Sequence, residues 1–266
     1  MHFVVPDLDG KTVLVTGANR GIGLEVARGL ARGGAHVVVL CRDAERAAPI
    51  EAELRAEAPG GVSVVCCELS DLMRVDAVAH EIRAGVGKLD AIVHNAGVFP
   101  ETLVRTRQGF EPTFAVDVLA PFLLNRRLES LLHKGSRVVQ LAGISHLDGK
   151  IDLEDLHFAR RAYDPAVANA QAQLARVVLA FAWSRRLAER GVMVNAVHPR
   201  SALHTPKSGA EPVLRLATDP SLHVTGMFFR RFDLHTSSEA AHGLRLARRV
   251  WEACEAMLSV ADLRDE

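Results

Sequence analysis

The stretch Thr16-Gly17-Ala18-Asn19-Arg20-Gly21-Ile22-Gly23 carries the most specific chemistry in this sequence. It follows a short β-branched run, Thr12–Thr16, and opens a segment with apolar residues at helical spacing, Ile22, Val26 and Leu30. Glycine permits a tight turn and removes the side chain where a backbone must meet a pyrophosphate, and the amides at the start of a helix give that anion a positive end. The loop therefore reads as a dinucleotide cradle, with Gly17, Asn19, Arg20, Gly21, Ile22 and Gly23 around the phosphates. At the end of the next apolar run stands Arg42, where an acidic residue would accept hydrogen bonds from the ribose hydroxyls of NAD. Guanidinium forks match phosphate oxygens, so Arg42 with Arg20 favours NADP(H) over NAD. His146 and His198 are the side chains able to titrate near neutrality, and both read as parts of turns rather than as catalysts. No histidine has metal-ligand spacing, so no metal site is expected.

The elements that must position these residues alternate along the whole chain. Thr12–Thr16, His36–Cys41, Val62–Glu68, Ala91–His94, Arg137–Leu141 and Met193–Val197 are short and rich in Val and Ile, as buried parallel strands are. Ile22–Arg32, Glu45–Ala58, Val75–Val86, Phe110–Leu132 and Val167–Arg190 carry apolar residues at three- and four-residue spacing and read as helices. A further strand at Met227–Phe229 and a helix over Glu239–Leu258 complete a doubly wound parallel sheet of about seven strands in a single α/β domain of Rossmann type. The segment 201–235, with Pro206, Pro212 and Pro220, reads as irregular and as a lobe covering the substrate.

Composition removes several classes of function. With 266 residues, 48% of them hydrophobic, and 32 basic against 32 acidic side chains, the chain is neither disordered nor a binder of nucleic acid or anionic membrane. A small-molecule ligand fits better. No run approaches the roughly 20 apolar residues of a spanning helix, and Met1 to Lys11 lacks the regions of a signal peptide, so a soluble cytoplasmic protein is expected. Cys41, Cys66, Cys67 and Cys254 form no CxxC pair and read as buried thiols.

The glycine spacing, Gly-x-x-x-Gly-x-Gly, resembles that of the short-chain dehydrogenase/reductase family, and other landmarks agree. Asn95-Ala96-Gly97 is similar to the family's Asn-Asn-Ala-Gly, with His94 in place of the first Asn. Val194-Asn195-Ala196-Val197-His198-Pro199 resembles its Val-Asn-Ala-x-His-Pro. The retinol-dehydrogenase-like branch is the nearest in pattern, through Cys41-Arg42-Asp43, Gly149-Lys150-Ile151-Asp152, Tyr163-Asp164-Pro165 and Arg249-Val250-Trp251-Glu252. The resemblance implies a cofactor site that also includes Glu68, Leu69, Asn95, Ala96, Gly97 and Gln173. It further implies a homo-oligomer paired through the helices near 110–132 and 167–190.

The same resemblance makes the reaction centre atypical. The family uses a Tyr acid/base, a Lys four residues later, a Ser and a proton-relaying Asn. A Tyr near pKa 10 is a poor base at neutral pH without that cation. The only tyrosine here is Tyr163, followed four residues on by Val167. Aligned through Tyr163-Asp164-Pro165, the Tyr and Lys positions hold Asn169 and Gln173, the Ser position holds Gly143, and the Asn position holds Asp117. Arg200 replaces the glycine after His198-Pro199. Asp117, Asn169 and Arg200 would then gather in the carbonyl pocket, Asp117 moving a proton, Arg200 holding an oxygen anion and Asn169 orienting the substrate. Three functions follow: a non-redox enzyme on a natural-product-like molecule, a reductase with another proton donor, or a nucleotide-sensing or partner-binding protein without catalysis.

Overall fold

The structure is a computed structural model that describes residues 3–199, 205–261 and 263. Its strands are β1 (Thr12–Thr16), β2 (His36–Cys41), β3 (Val62–Cys66), β4 (Leu89–His94), β5 (Leu132–Leu141), β6 (Met193–His198), β7 (Phe228–Arg230) and β8 (Asp233–Leu234). They form one sheet in the order β3-β2-β1-β4-β5-β6-β7-β8. The first seven run parallel, while β8 returns antiparallel on β7. The sheet therefore has eight strands rather than seven. The eighth is two exposed residues long, too short for any periodicity to announce it.

Side chains alternate across the sheet and feed two cores. Val13, Val15, Val37 and Val39 face helices α1 (Gly21–Arg32), α2 (Ala44–Glu57) and α7 (Pro206–Thr218). Leu14, Val38 and Leu40 face α3 (Leu72–Gly85), α5 (Ala120–Leu128), α6 (Pro165–Arg186) and α8 (Leu244–Val260). The strand order reverses between β1 and β4, and the crevice beyond their C-terminal ends is where such sheets bind ligands.

Two expectations change. Residues 110–132 do not form one helix: α4 (Pro112–Phe114), capped by the Glu111 carboxylate, gives way to a π turn, Ala115–Leu119, before α5 resumes. Pro121 has no N–H with which to close a regular turn on the Asp117 carbonyl, so the wider turn falls where an α-helical bond is already missing. The 201–235 segment is irregular only in part, chiefly over residues 219–227. Beyond residues 200–204, which lie outside the described residues, Thr205 caps α7, which packs on α1 with Leu214 against Gly29. Proline at the first helical position and Pro212 further along did not break it. α8 of the same chain lies against α5 and α6, with Trp251 4.8 Å edge-on from Phe122. The four cysteines are free, and no described helix is long and apolar enough to cross a membrane.

Candidate active site

A groove of about 750 Å³ crosses the C-terminal ends of β1, β2 and β4. Among its walls are Gly17, Asn19, Arg20, Gly21, Ile22, Arg42, Glu68, Leu69, Asn95, Ala96 and Gly97. Of the residues expected to hold a cofactor, Gly23 is buried beneath this wall and Gln173 stands in the neighbouring cleft. Gly17 and Gly21 adopt φ of +67° and +60°, which a side chain would strain. A Cβ on Gly23 would run into the Asn95 amide and the Gly17 carbonyl, so loop and strand ends approach as closely as glycine allows. Asn95 holds that approach, donating from Nδ2 to the carbonyls of Thr16 (2.9 Å) and Gly17 (3.0 Å). No side chain caps α1, which leaves its first amides open to an anion. The groove thus fits a dinucleotide: a positive helix end, a Cβ-free cradle and Arg20 exposed beside them.

At the far end Arg42 is two-thirds exposed, with Nε 3.9 Å from Oε2 of Glu68. Glu68 also accepts from Ser70 through Oε1. Burial pushes the Cys41 thiol up to about 11 and Cys67 to about 12, so both groove thiols are neutral near pH 7.

The groove opens into a cleft of about 820 Å³ that shares Arg20, Gly97, Val98 and Leu141 with it. Here the polar groups bond one another. Gly143 N donates to Oε1 of Gln173 (2.6 Å), and Nε2 of Gln173 donates to Asp117 Oδ2 (3.0 Å) and Asn169 Oδ1 (3.3 Å). Asn169 Nδ2 donates to Ser145 Oγ (3.1 Å), and the amide of Val98 donates to Asp117 Oδ1 (3.0 Å). Beneath them Arg176 of α6 donates from Nη1 to Asp117 Oδ2 (3.0 Å) and from Nη2 to the carbonyls of Ala96 (2.8 Å) and His94 (3.3 Å). In the amide orientation that satisfies both partners, the Gln140 side-chain oxygen accepts from Nε (2.6 Å) and Nη2 (3.0 Å) of the same guanidinium.

The side chains of Asp117 and Arg176 are only 2% and 5% exposed. Burial pushes the Asp117 carboxyl above its usual range, opposed by Arg176, the Val98 amide and Gln173. Burial likewise lowers Arg176, opposed by Asp117. Asp117 is therefore in the cleft wall as expected, but its described charge partner is Arg176. Arg200 lies outside the described residues. Sequence reasoning missed Arg176, although a lone guanidinium within Leu174-Ala175-Arg176-Val177-Val178 was a signal: a charge on a helix face this apolar must be paired.

The remaining candidates lie around this network. His198 lines the cleft. His146 is buried, its Nδ1 2.8 Å from the Gly143 carbonyl, and burial lowers its pKa. Tyr163 does not line the cleft; its hydroxyl donates to Pro100 O (3.2 Å) and Glu111 Oε1 (3.3 Å). Among the described residues no cluster of His, Cys, Asp or Glu is arranged to hold a metal ion.

A parallel sheet with a glycine loop at its switch point and a helix end facing the groove defines a Rossmann-type dinucleotide-binding protein. More narrowly, the chain belongs to the short chain dehydrogenase family, which it matches over residues 11–151. It is 32% identical to retinol dehydrogenase 13 of Homo sapiens, over 92% of this chain and 83% of that protein. To retinol dehydrogenase 12 of Mus musculus it is 34% identical, over 93% and 86%. Among solved structures, an uncharacterized protein from Mycobacterium Paratuberculosis superposes with a TM-score of 0.86 at 29% identity, covering 97% of this chain and 98% of that one. The landomycin C-6 ketoreductase LanV, solved with bound NADP and rabelomycin, gives 0.68 at 28% identity over 85% and 96%.

Proposed function

We propose that the protein binds NADP(H) along the groove and carries out a non-redox step, an isomerisation, cyclisation or elimination, on a small polar molecule in the adjoining cleft. One observation carries this reading. The positions that the family resemblance gives to Tyr and Lys hold amides bonded to each other and to a buried ion pair, and the only tyrosine lies outside the cleft wall. Hydride delivery to a carbonyl needs a proton for the resulting oxygen, and a carboxamide does not release one near pH 7. Moving a proton within one molecule needs only a group that takes and returns it. Asp117 fits: burial raises its affinity for a proton, and Arg176 holds the charge when the proton leaves. Ser145 and Asn169 orient a substrate oxygen, and Gly17, Arg20, Arg42 and Asn95 hold the dinucleotide, which supplies a nicotinamide ring when bound. The NADP in the LanV structure supports the same cofactor here.

A second reading is hydride transfer with Asp117 or water as the proton source. Favouring it, groove and cleft are continuous through Gly97 and Val98, so a nicotinamide in the groove would face the cleft. Incubating the protein with candidate polyfunctional ketones and alcohols, with and without NADPH, separates the two readings. The expected result is a product of unchanged mass, or one lighter by water, at constant nicotinamide absorbance. Stoichiometric NADPH consumption would replace the first reading with the second.

A further inference from the structure

α6 has no exposed residue from Ala168 to Ser184, and the same is true from Thr113 to Leu128 along α4, the π turn and α5. A helix covered on every side has partners on every side. The sheet covers one side of this pair; α8 crosses the other. Ala247, Val250, Cys254 and Leu258 are buried along one face of α8. Trp251 packs 4.8 Å from both Phe122 and Trp183, and the Arg186 guanidinium lies 5.6 Å and 5.7 Å over the two tryptophan rings. Arg126 of α5 pairs with Glu255 of α8 at 2.7 Å. Past the end of α8, Arg127 donates to the Leu263 carbonyl (3.1 Å) while its Nε meets Asp76 of α3 (2.6 Å), so the C-terminal segment is tied across three helices.

Among the described residues the large exposed apolar side chains include none on α5 and, on α6, only Val167 at its N-terminal end. The β7 edge of the sheet is covered by a short strand. β8 folds back on β7, pairing Leu234 with Phe229 and Asp233 with Arg230, and His235 N donates to the Phe228 carbonyl at 3.0 Å. An edge strand with a free ladder is a template for a second chain, and β8 replaces the β7 edge with one only two residues long.

We propose that the protein is a monomer in which α8 covers, within one chain, the face of α5 and α6 that a second copy would need, and presses α6 with Asn169, Gln173 and Arg176 onto the sheet. Self-association through a symmetric patch requires apolar surface to bury, and on this side the chain has already buried it.

The chain's two tryptophans, Trp183 and Trp251, lie one on each side of this contact at an interplanar angle of 55°. Their exciton-coupled circular dichroism therefore reports the docking of α8. Light scattering on the full chain should give the mass of one chain from about 1 to 100 μM, with the couplet per chain unchanged over that range. Trp251→Phe should lose the couplet and stay monomeric. Trp251→Ala should raise hydrogen exchange of the α6 amides about tenfold or more and begin to self-associate as the face is uncovered. Should that variant fail to fold, Glu255→Ala, whose side chain is 44% exposed, carries the exchange measurement, with faster exchange in α6 expected. A two-chain mass for the unaltered protein at about 10 μM, or a couplet that grows with concentration, would overturn the proposal. So would α6 exchange that neither variant changes.

Discussion

The groove and the cleft share walls yet spend their polar groups in opposite ways. In the groove these groups point outward: the first amides of α1 have no side-chain cap, and Arg20 and Arg42 extend into solvent. In the cleft they point at each other, and Asp117 alone accepts from Val98, Gln173 and Arg176. A ligand completes the first region, where the uncapped first amides of α1 await an anion. The second is complete without one, so a substrate there must compete with bonds already formed or use what is left over at Ser145 and Asn169. Strong anchoring is thus expected at the phosphate end and fine positioning at the reaction end.

Removing one half of the Asp117–Arg176 pair should have the largest effect. Asp117→Ala or Arg176→Met leaves a buried charge uncompensated and should cost about 3–5 kcal/mol in urea unfolding, while Asp117→Leu with Arg176→Met together should recover most of it. Asp117→Asn also strands Arg176, so its loss of turnover must be read beside its loss of stability. Single variants as stable as the parent would mean the cleft is not self-contained.

Acid probes the floor of the same region. His94, buried with Nε2 2.8 Å from Asn125 Oδ1, has its pKa lowered by burial from 6.5 to about 4. The unfolded chain takes up this proton below about pH 6.5 and the native protein does not until about pH 4, so stability is complete above the first value and falls toward the second, by about 3 kcal/mol for this residue. Urea midpoints at pH 7.5 and pH 5 should differ accordingly, and His94→Gln should flatten the dependence. An unchanged slope would relocate the acid sensitivity.

Gly23→Ala tests the opposite region. Pushing Asn95 and the Gly17 carbonyl apart should weaken NADPH binding by roughly 2 kcal/mol, about 30-fold, in calorimetry. An unaffected Kd would show that the close approach is not needed. Arg42→Ala should do least, reducing the preference for NADPH over NADH about tenfold, near 1.4 kcal/mol. No change in that ratio would assign the phosphate to Arg20 alone.

The groove was legible because its requirements are local. A turn with φ above zero and a backbone approach closer than a Cβ permits each select glycine, and strand–turn–helix order follows from hydrophobic period. The cleft was legible only as a set of positions. Asp117, Asn169 and Gln173 were placed by a resemblance, but which group neutralises Asp117 depends on how α6 lies against the π turn, and no spacing along the chain carries that. α7 was missed because Pro206 and Pro212 were read as breakers, whereas the first falls where the helix needs no donor. The role of α8 was out of reach for a similar reason: its amphipathic pattern shows that it buries a face, not which neighbour receives it.

The π turn at Ala115–Leu119 has a consequence for how this protein can change over generations. Each residue of an α-helix advances the side chains by about 100°, and a π turn accommodates one residue more than the regular turn it replaces. The turn therefore works as a splice between two reading frames: Asp117 before α5 is phased to the cleft, while Phe122 and Arg126 after it are phased to α8. A deletion of one residue within the splice would restore uniform pitch and swing the second frame by about 100°, carrying Phe122 away from Trp251 with the cleft sequence untouched. Point substitutions on either side leave the other frame alone, so the reacting end and its outer brace are free to diversify separately as long as the length between them is inherited intact.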